Sequence, residues 1–310
     1  MRNNGFGKTL KYAGRTVIDC VYGDGKHGTK RTHKERWQPI AGYLKQAMGI
    51  RDLSAIRIEH RKAHADYLAA RIRDGSLKIV TAQNILSTFN IVMRGYLNND
   101  SLRLSPASMV GSRSQVRSTV PAGMDRSTVE AAASELVEKD HEVFGYLIII
   151  VRELGMRVRE AVLQDYVRLG DTVTPAKTVR IIEGSKGGTA RHTVREVPVT
   201  NCAHAVIKIL AAMQGRRKNL IPPGLTLKQY MRKFHYQWDK VRKKYGLRRL
   251  HDLRAARACD WYLEETGIPA PIFGAGVAER AMDQRARDII SPRLGHQRRG
   301  VASSYVGGAR

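Results

Sequence analysis

The chain has 310 residues, 42% of them apolar, which excludes a disordered chain and is more than one ordinary hydrophobic core wants, so two domains are expected. Its 54 lysines and arginines against 28 aspartates and glutamates leave a net charge of +26 spread along the whole length, and such a surface seeks a polyanion. The longest apolar run, FGYLIII with Val151 behind it, falls far short of the roughly 18 to 20 residues of a spanning helix, and the opening MRNNGFGKTLKYAGR lacks a signal-peptide core, so the expected partner is nucleic acid in the cytoplasm, not a membrane.

In chain order, residues 1–30 are Gly-rich and basic with few aliphatic side chains, and read as an arm. Residues 31–103 repeat apolar positions at three- and four-residue spacing, broken at DGS (Asp74 to Ser76), the pattern of a small helical bundle. Residues 104–122, rich in Ser, Pro and Gly and carrying Arg113 and Arg117, read as a basic linker. From 123 to 310 a second domain is expected. Ser127 and Glu130 form a capping-box signature ahead of one helix, and HEVFGYLIIIVREL is an apolar helix. KTVRIIEG and HTVREVPV, separated by SKGGTAR, predict a β-hairpin; the remainder is helical in pattern. The fold class is therefore mainly α with a small β-sheet.

Some tempting motifs carry little. Cys20, Cys202 and Cys259 are far apart and fit neither a disulfide framework nor a zinc site, so they are expected as reduced packing residues. His60 and His64 stand four apart, a spacing that can chelate a metal from one helix face, but Arg61 stands where a zinc protease carries its glutamate. GAG in PIFGAGVAER follows no convincing strand and makes a poor nucleotide loop.

Four pieces of the second domain read together are more informative. LGMRVREAV carries Arg157 with Glu160 three positions later; Lys186 lies in the hairpin turn, with Lys177 as its rival; LHDLRAAR puts His251 and Arg254 on one helix face; and LGHQRRGVASSY ends with His296 and, nine positions later, Tyr305. In this order they resemble the catalytic motifs of the tyrosine recombinase family, the phage-integrase-like site-specific recombinases. The resemblance covers motifs from about Arg126 to Tyr305, and the upstream bundle is similar in pattern to the family's core-binding domain.

The resemblance implies a two-domain clamp on duplex DNA, with a helical core-binding bundle and an α+β catalytic domain, that cuts and rejoins DNA through a 3′-phosphotyrosine and a free 5′-hydroxyl. A phosphodiester repels nucleophiles, so two guanidiniums, Arg157 and Arg254, are suited to its non-bridging oxygens. Tyr305 is then the nucleophile, Lys186 the acid for the leaving 5′-oxygen, His251 and His296 aids to proton movement, and Glu160 a buttress. No metal and no ATP are expected, since cationic side chains stabilise charge and the tyrosyl ester keeps the bond energy. Lys228, Arg232 and Lys233, on the helix TLKQYMRKFHYQWDKVRKKYG, and Arg248 and Arg249 are expected on DNA with Arg113 and Arg117.

The implied partners are a double-stranded recombination site, further copies of the chain in a tetrameric synapse, and accessory DNA-bending factors; the implied setting is a mobile element, at the nucleoid. The readings left beside it are a type IB topoisomerase, a telomere-resolving enzyme, and a non-catalytic DNA-binding protein on the same scaffold. Two features depart from the family pattern: 42 positions separate Arg254 from His296, and VGGAR after Tyr305 is too short for the docking helix that many relatives carry. The insert at 268–288, with Ile268, Ile272, Phe273 and Val277, is therefore expected to face a neighbouring subunit.

Overall fold

The structure, a computed structural model, describes residues 2–172, 177–184, 195–276 and 278–308. Its contacts separate two units, residues 1–114 and 115–310. Among the described residues no helix is long and apolar enough to cross a membrane.

The first unit packs α1 (Leu10–Tyr22), α2 (His27–Met48), α3 (Ile58–Arg73), α4 (Ile79–Leu97) and α5 (Pro106–Val110) around one core. Thr9 starts α1 by accepting from the Tyr12 amide, and Ala13, Val17 and Ile18 then fall on one buried face. They meet Trp37, Ile40 and Leu44 of α2 and Leu86, Phe89 and Met93 of α4, all buried in one cluster. The Trp37 ring meets Phe89 edge-on at 5.8 Å, and its indole N–H donates to the Leu10 carbonyl at 3.2 Å.

This packing corrects the expected arm at 1–30. Composition there is basic and poor in aliphatics, but the few apolar residues share one helical face, and Asn3 is tied down as well: its amide donates to Asp52 Oδ2 at 2.8 Å and its Oδ1 accepts from the Leu53 amide at 2.8 Å. The linker at 104–122 is also divided. Its first part forms α5, capped by Ser105, with Val110 buried in the first core, and the two units separate between Ser114 and Gln115. His60 and His64 do not make an open chelating face. His60 Nδ1 accepts from the Arg57 amide at 3.0 Å, while His64 is buried among Tyr43, Tyr67 and Phe89. Burial, then Arg61, pushes His64 down to about 4.

In the second unit, α7 (Glu142–Leu154) is the central helix, buried from Leu147 to Leu154. Around it stand α6 (Arg126–Glu138), α10 (Asn201–Gln214) and α12 (Leu250–Thr266). Helix α6 is capped by the Asp125 side chain, which accepts from the Ser127 and Thr128 amides, in place of the expected Ser127 and Glu130 box. Short helices α8 (Val158–Leu163) and α9 (Tyr166–Asp171) lead to β1 (Thr178–Arg180), which pairs antiparallel with β2 (Glu196–Pro198) in the register Val179 to Val197. Helix α11 (Leu227–Val241) buries Tyr230, Phe234, Trp238 and Val241.

The last helices are α13 (Arg280–Arg293) and α14 (Ser303–Val306). The insert at 268–288 folds onto its own unit: Ile268 and Ile272 pack against the core, and α13 buries Ala286 and Ile290 against α12. Phe273 stays partly exposed, and Val277 lies outside the described residues. Of the cysteines only Cys259 is buried; Cys20 and Cys202 are exposed and pack into neither core.

The place of α1 in the first core is testable at Gly14. A Cβ there would lie 2.1 Å from the Trp37 ring, whereas one at Gly42 of α2 meets nothing within 4 Å. Gly14→Ala is expected to destabilise by about 1–3 kcal/mol through overpacking, and Gly42→Ala to be neutral or to stabilise by up to about 1 kcal/mol. Urea unfolding of the two variants checks this, and a free arm would leave Gly14→Ala without effect.

Candidate active site

The site is assembled around one buried carboxylate. Glu160 sits in the first turn of α8, where its Oε2 accepts from the Arg157 amide at 2.7 Å and its Oε1 pairs with Arg157 Nη1 at 2.5 Å. Arg195, entering β2, places Nη1 2.6 Å from Oε2, and Arg254 Nη1 from α12 stands 3.6 Å from it. Burial alone would raise the carboxyl pKa, but Arg195, Arg254 and Arg157 outweigh it and hold Glu160 at about 2.

The backbone completes the arrangement. Gly155 ends α7 at φ 57, and its carbonyl accepts from Arg254 Nη1 at 2.5 Å and Arg195 Nη2 at 3.1 Å. A Cβ on Gly155 would stand 2.9 Å from the Trp261 ring, so this close turn needs glycine. Arg254 also donates to the Leu294 carbonyl and is fully buried, which lowers its pKa to about 10, still cationic at neutral pH.

Arg157, Arg254, His296 and Tyr305, far apart in sequence, meet here. His296 Nε2 lies 3.1 Å from the Tyr305 hydroxyl, 3.2 Å from Arg157 Nη2 and 3.5 Å from Arg254 Nη2. Arginine nitrogens only donate, so these partners assign the lone pair to Nε2 and the ring proton to Nδ1. Burial first, then Arg254, Arg157 and Arg195, push His296 down to about 4 against the pull of Glu160, so the ring is neutral at pH 7. The Tyr305 hydroxyl can donate to it while accepting from Arg254 Nε at 3.4 Å. Tyr305 itself is 3% exposed, with the Arg254 guanidinium 5.5 Å from its ring centre.

His251 joins through its ring, 5.5 Å from that of Tyr305. Part of the residue faces solvent, but loss of hydration where it packs, then Arg254, Arg117 and Arg157, lower its pKa to about 4. Arg117 is not the free linker cation expected: its Nη2 pairs with Asp252 Oδ1 at 2.6 Å, and its amide donates to the Ser303 carbonyl at 3.0 Å. Arg248 Nε holds the other Asp252 oxygen at 2.8 Å. These residues with Arg242 and Arg249 line a basic hollow of about 540 Å³.

Arg113, in the first unit, is exposed, as are Arg249 and, on α11 away from its buried face, Lys228, Arg232 and Lys233. Lys240 Nζ lies 4.4 Å over the exposed Tyr236 ring on that helix. Lys186 lies outside the described residues. Its rival Lys177 stands at the base of β1, its carbonyl accepting from the Val199 amide at 2.7 Å. Gly184, two residues before Lys186, is at φ 74, and a Cβ there would lie 2.9 Å from the Arg159 carbonyl oxygen and from Glu160 Cα.

One residue of the site, Arg195, escaped the sequence reading. Its signal was present: the period of a strand puts Arg195, Val197 and Val199 on one face, and all three are buried. An arginine in an inward register requires a buried carboxylate, here Glu160, and its Nε also donates to the Arg293 carbonyl at 2.8 Å.

The sequence model of the family described as Integrase matches residues 115–260. No curated protein matches the chain. Among solved structures, the Tn1549 transposon integrase in complex with a circular intermediate DNA is similar at 14% identity and a TM-score of 0.60, covering 98% of this chain and 96% of that one. A lambda integrase dimer bound to a COC′ core site is similar at 16% identity and a TM-score of 0.56, covering 96% and 77%. A lambda integrase tetramer bound to a Holliday junction gives the same values.

Two expectations follow from the electrostatics. Glu160→Gln leaves buried guanidiniums without their counter-charge and is expected to cost about 3–5 kcal/mol, read from urea unfolding at pH 7. His251 and His296 are held near 4 in the folded chain against an ordinary 6.5, so below pH 6.5 the unfolded chain binds protons that the folded chain does not. Folded stability is therefore expected to fall from pH 6.5 toward 4, and then further between 4.5 and 2 as Glu160 is protonated. His296→Asn should lessen the first decline, to which His251 and the buried His64 also contribute, and leave the second.

Proposed function

We propose that this chain is a tyrosine recombinase that breaks and rejoins duplex DNA by transesterification at the cluster around Glu160. The observation that carries the reading is the Tyr305 hydroxyl between a neutral imidazole and a guanidinium, 3.1 Å from His296 Nε2 and 3.4 Å from Arg254 Nε. In this reading His296 takes the phenolic proton as the oxygen attacks phosphorus, and Arg254 stabilises the charge developing on that oxygen. A histidine near 4 is a weak base alone, but a phosphate anion entering among these groups raises its pKa.

Arg157 and Arg254 offer forked donors to the non-bridging oxygens, and pre-aligned donors of this kind are worth about 10²- to 10³-fold each. Attack by Tyr305 forms the phosphotyrosine bond and breaks the bond to the 5′-oxygen, which leaves with a proton from Lys186. Support for Lys186 is that Gly184, two residues before it, abuts Glu160. The free 5′-hydroxyl of a second strand then reverses the step. Exposed Lys228, Arg232, Lys233 and Arg249, with the basic hollow, suit the phosphate backbone. Assembly as an oligomer on DNA, and service to a mobile element, are proposed from similarity to the Tn1549 transposon integrase and to the lambda integrase dimer and tetramer.

The test is a nicked suicide duplex that traps the covalent adduct. Tyr305→Phe is expected to bind DNA as the native chain does and to form no denaturant-resistant adduct; an adduct in this variant would move the nucleophile elsewhere. Lys186→Ala should cripple cleavage of ordinary DNA and spare a substrate whose leaving atom is 5′-sulfur, which needs no proton. Equal loss on both substrates rules out the acid role.

A further inference from the structure

A buried ion pair in the insert reaches the helix that carries Tyr305. Asp283 and Arg287 stand one turn apart on α13, with Arg287 Nε 3.0 Å and 2.9 Å from the two Asp283 oxygens. Asp283 Oδ1 also accepts from the Tyr262 hydroxyl of α12 at 2.7 Å, so the carboxylate is fixed to the body of the unit. The guanidinium is thereby aimed at the chain's last helix: Nη1 donates to Ser303 Oγ at 3.0 Å and to the Gly307 carbonyl at 3.1 Å. These acceptors lie two residues before and two residues after Tyr305.

A second contact from the insert reinforces the first. Gly307 is at φ 94 and so close to Ile272 that a Cβ would lie 2.8 Å from the Ile272 amide nitrogen. Helix α14 is four residues long, too short to hold its own position, so tertiary contacts must place it. The bonds of Asp283 and Arg287 go to Tyr262, Ser303 and Gly307, whereas the reacting hydroxyl meets His296 and Arg254.

We propose that Asp283 and Arg287 are positioning residues: a latch that holds α14 in register, so that Tyr305 attacks a phosphate bound by the arginines of its own chain. The proposal rests on the reading of Tyr305 as nucleophile. It gives the insert a role within one chain, where an apolar face toward a neighbouring subunit was expected. The latch restrains the tyrosine from both sides and leaves the DNA-facing cations untouched, so its loss lowers the rate of attack and not the affinity for DNA.

The experiment is single-turnover adduct formation on the nicked suicide duplex at saturating DNA, with duplex affinity measured in parallel. Arg287→Ala leaves Asp283 buried without its partner and can unfold the chain, so a double variant, Asp283→Asn with Arg287→Gln, removes both charges together. Expected for both is unchanged affinity and adduct formation slower by about 10²-fold, the scale of a misplacement near 1 Å. Arg287→Lys, which keeps the charge and can donate to both acceptors, should recover part of that loss. A mixture of Tyr305→Phe and Arg254→Ala chains should form no adduct, since neither carries both groups. Native rates in the folded double variant, or adduct from the mixture, overturn the latch. An adduct with Tyr305→Phe alone instead overturns the nucleophile reading, and the latch with it.

Discussion

The carboxylate of Glu160 is the interaction on which the rest of the site depends. Three guanidiniums in a buried space repel one another and lose hydration, and nothing apolar could hold them there. Glu160 supplies the opposing charge, and its place in the first turn of α8 lets the same oxygens accept from the Arg157 amide, so one side chain fixes the backbone and the cations together. The Gly155 carbonyl supplies the second anchor, reached because α7 ends in a left-handed residue. Arg195 takes no part in contacting Tyr305; it absorbs charge from Glu160 and ties β2 to α13 through the Arg293 carbonyl.

Positive charge in this chain does several different jobs. Arg152, Arg257 and Arg287 are nearly or fully buried and paired with carboxylates of their own unit, so they hold the fold. Arg117 and Arg248 share Asp252 and brace the segment before Ala122 against α12. Lys228, Arg232 and Lys233 have no such burial and are free to face phosphate. A net charge of +26 therefore overstates the number of cations available to DNA. Loss of hydration and, after it, the guanidiniums that crowd the site keep His251 and His296 neutral, and a neutral imidazole can accept a proton where an imidazolium cannot.

Much of this was legible in the sequence, for reasons that can be stated residue by residue. The pairs Arg157 with Glu160 and His251 with Arg254 were readable because each lies on or at the start of one helix, where spacing says which side chains are neighbours, whereas His296 and Tyr305 lie on different elements and were tied to the others by the family resemblance. The paired strands were readable from β-branched runs on either side of a Gly-containing stretch of sequence. The first helix was not, because an amphipathic face of a few apolar residues in a basic segment looks like an arm until Trp37 is seen to need it. Asp125 was passed over as the cap of α6 because Ser127 and Glu130 compete for the same signature, and geometry alone selects the residue whose oxygens reach two amides.

The sequence by itself determined the charge, the mainly helical class and the residue types available to the candidate site, since these depend on composition and local period. Only the tertiary structure decided which arginine balances Glu160, that Arg117 is held by Asp252, and that the insert carrying Asp283 and Arg287 returns to its own unit at Ser303 and Gly307. Those pairings join residues from 16 positions to more than a hundred apart. No local propensity encodes them: they form because a buried charge must find an opposite charge or a polar acceptor, and only the folded chain determines which one is within reach.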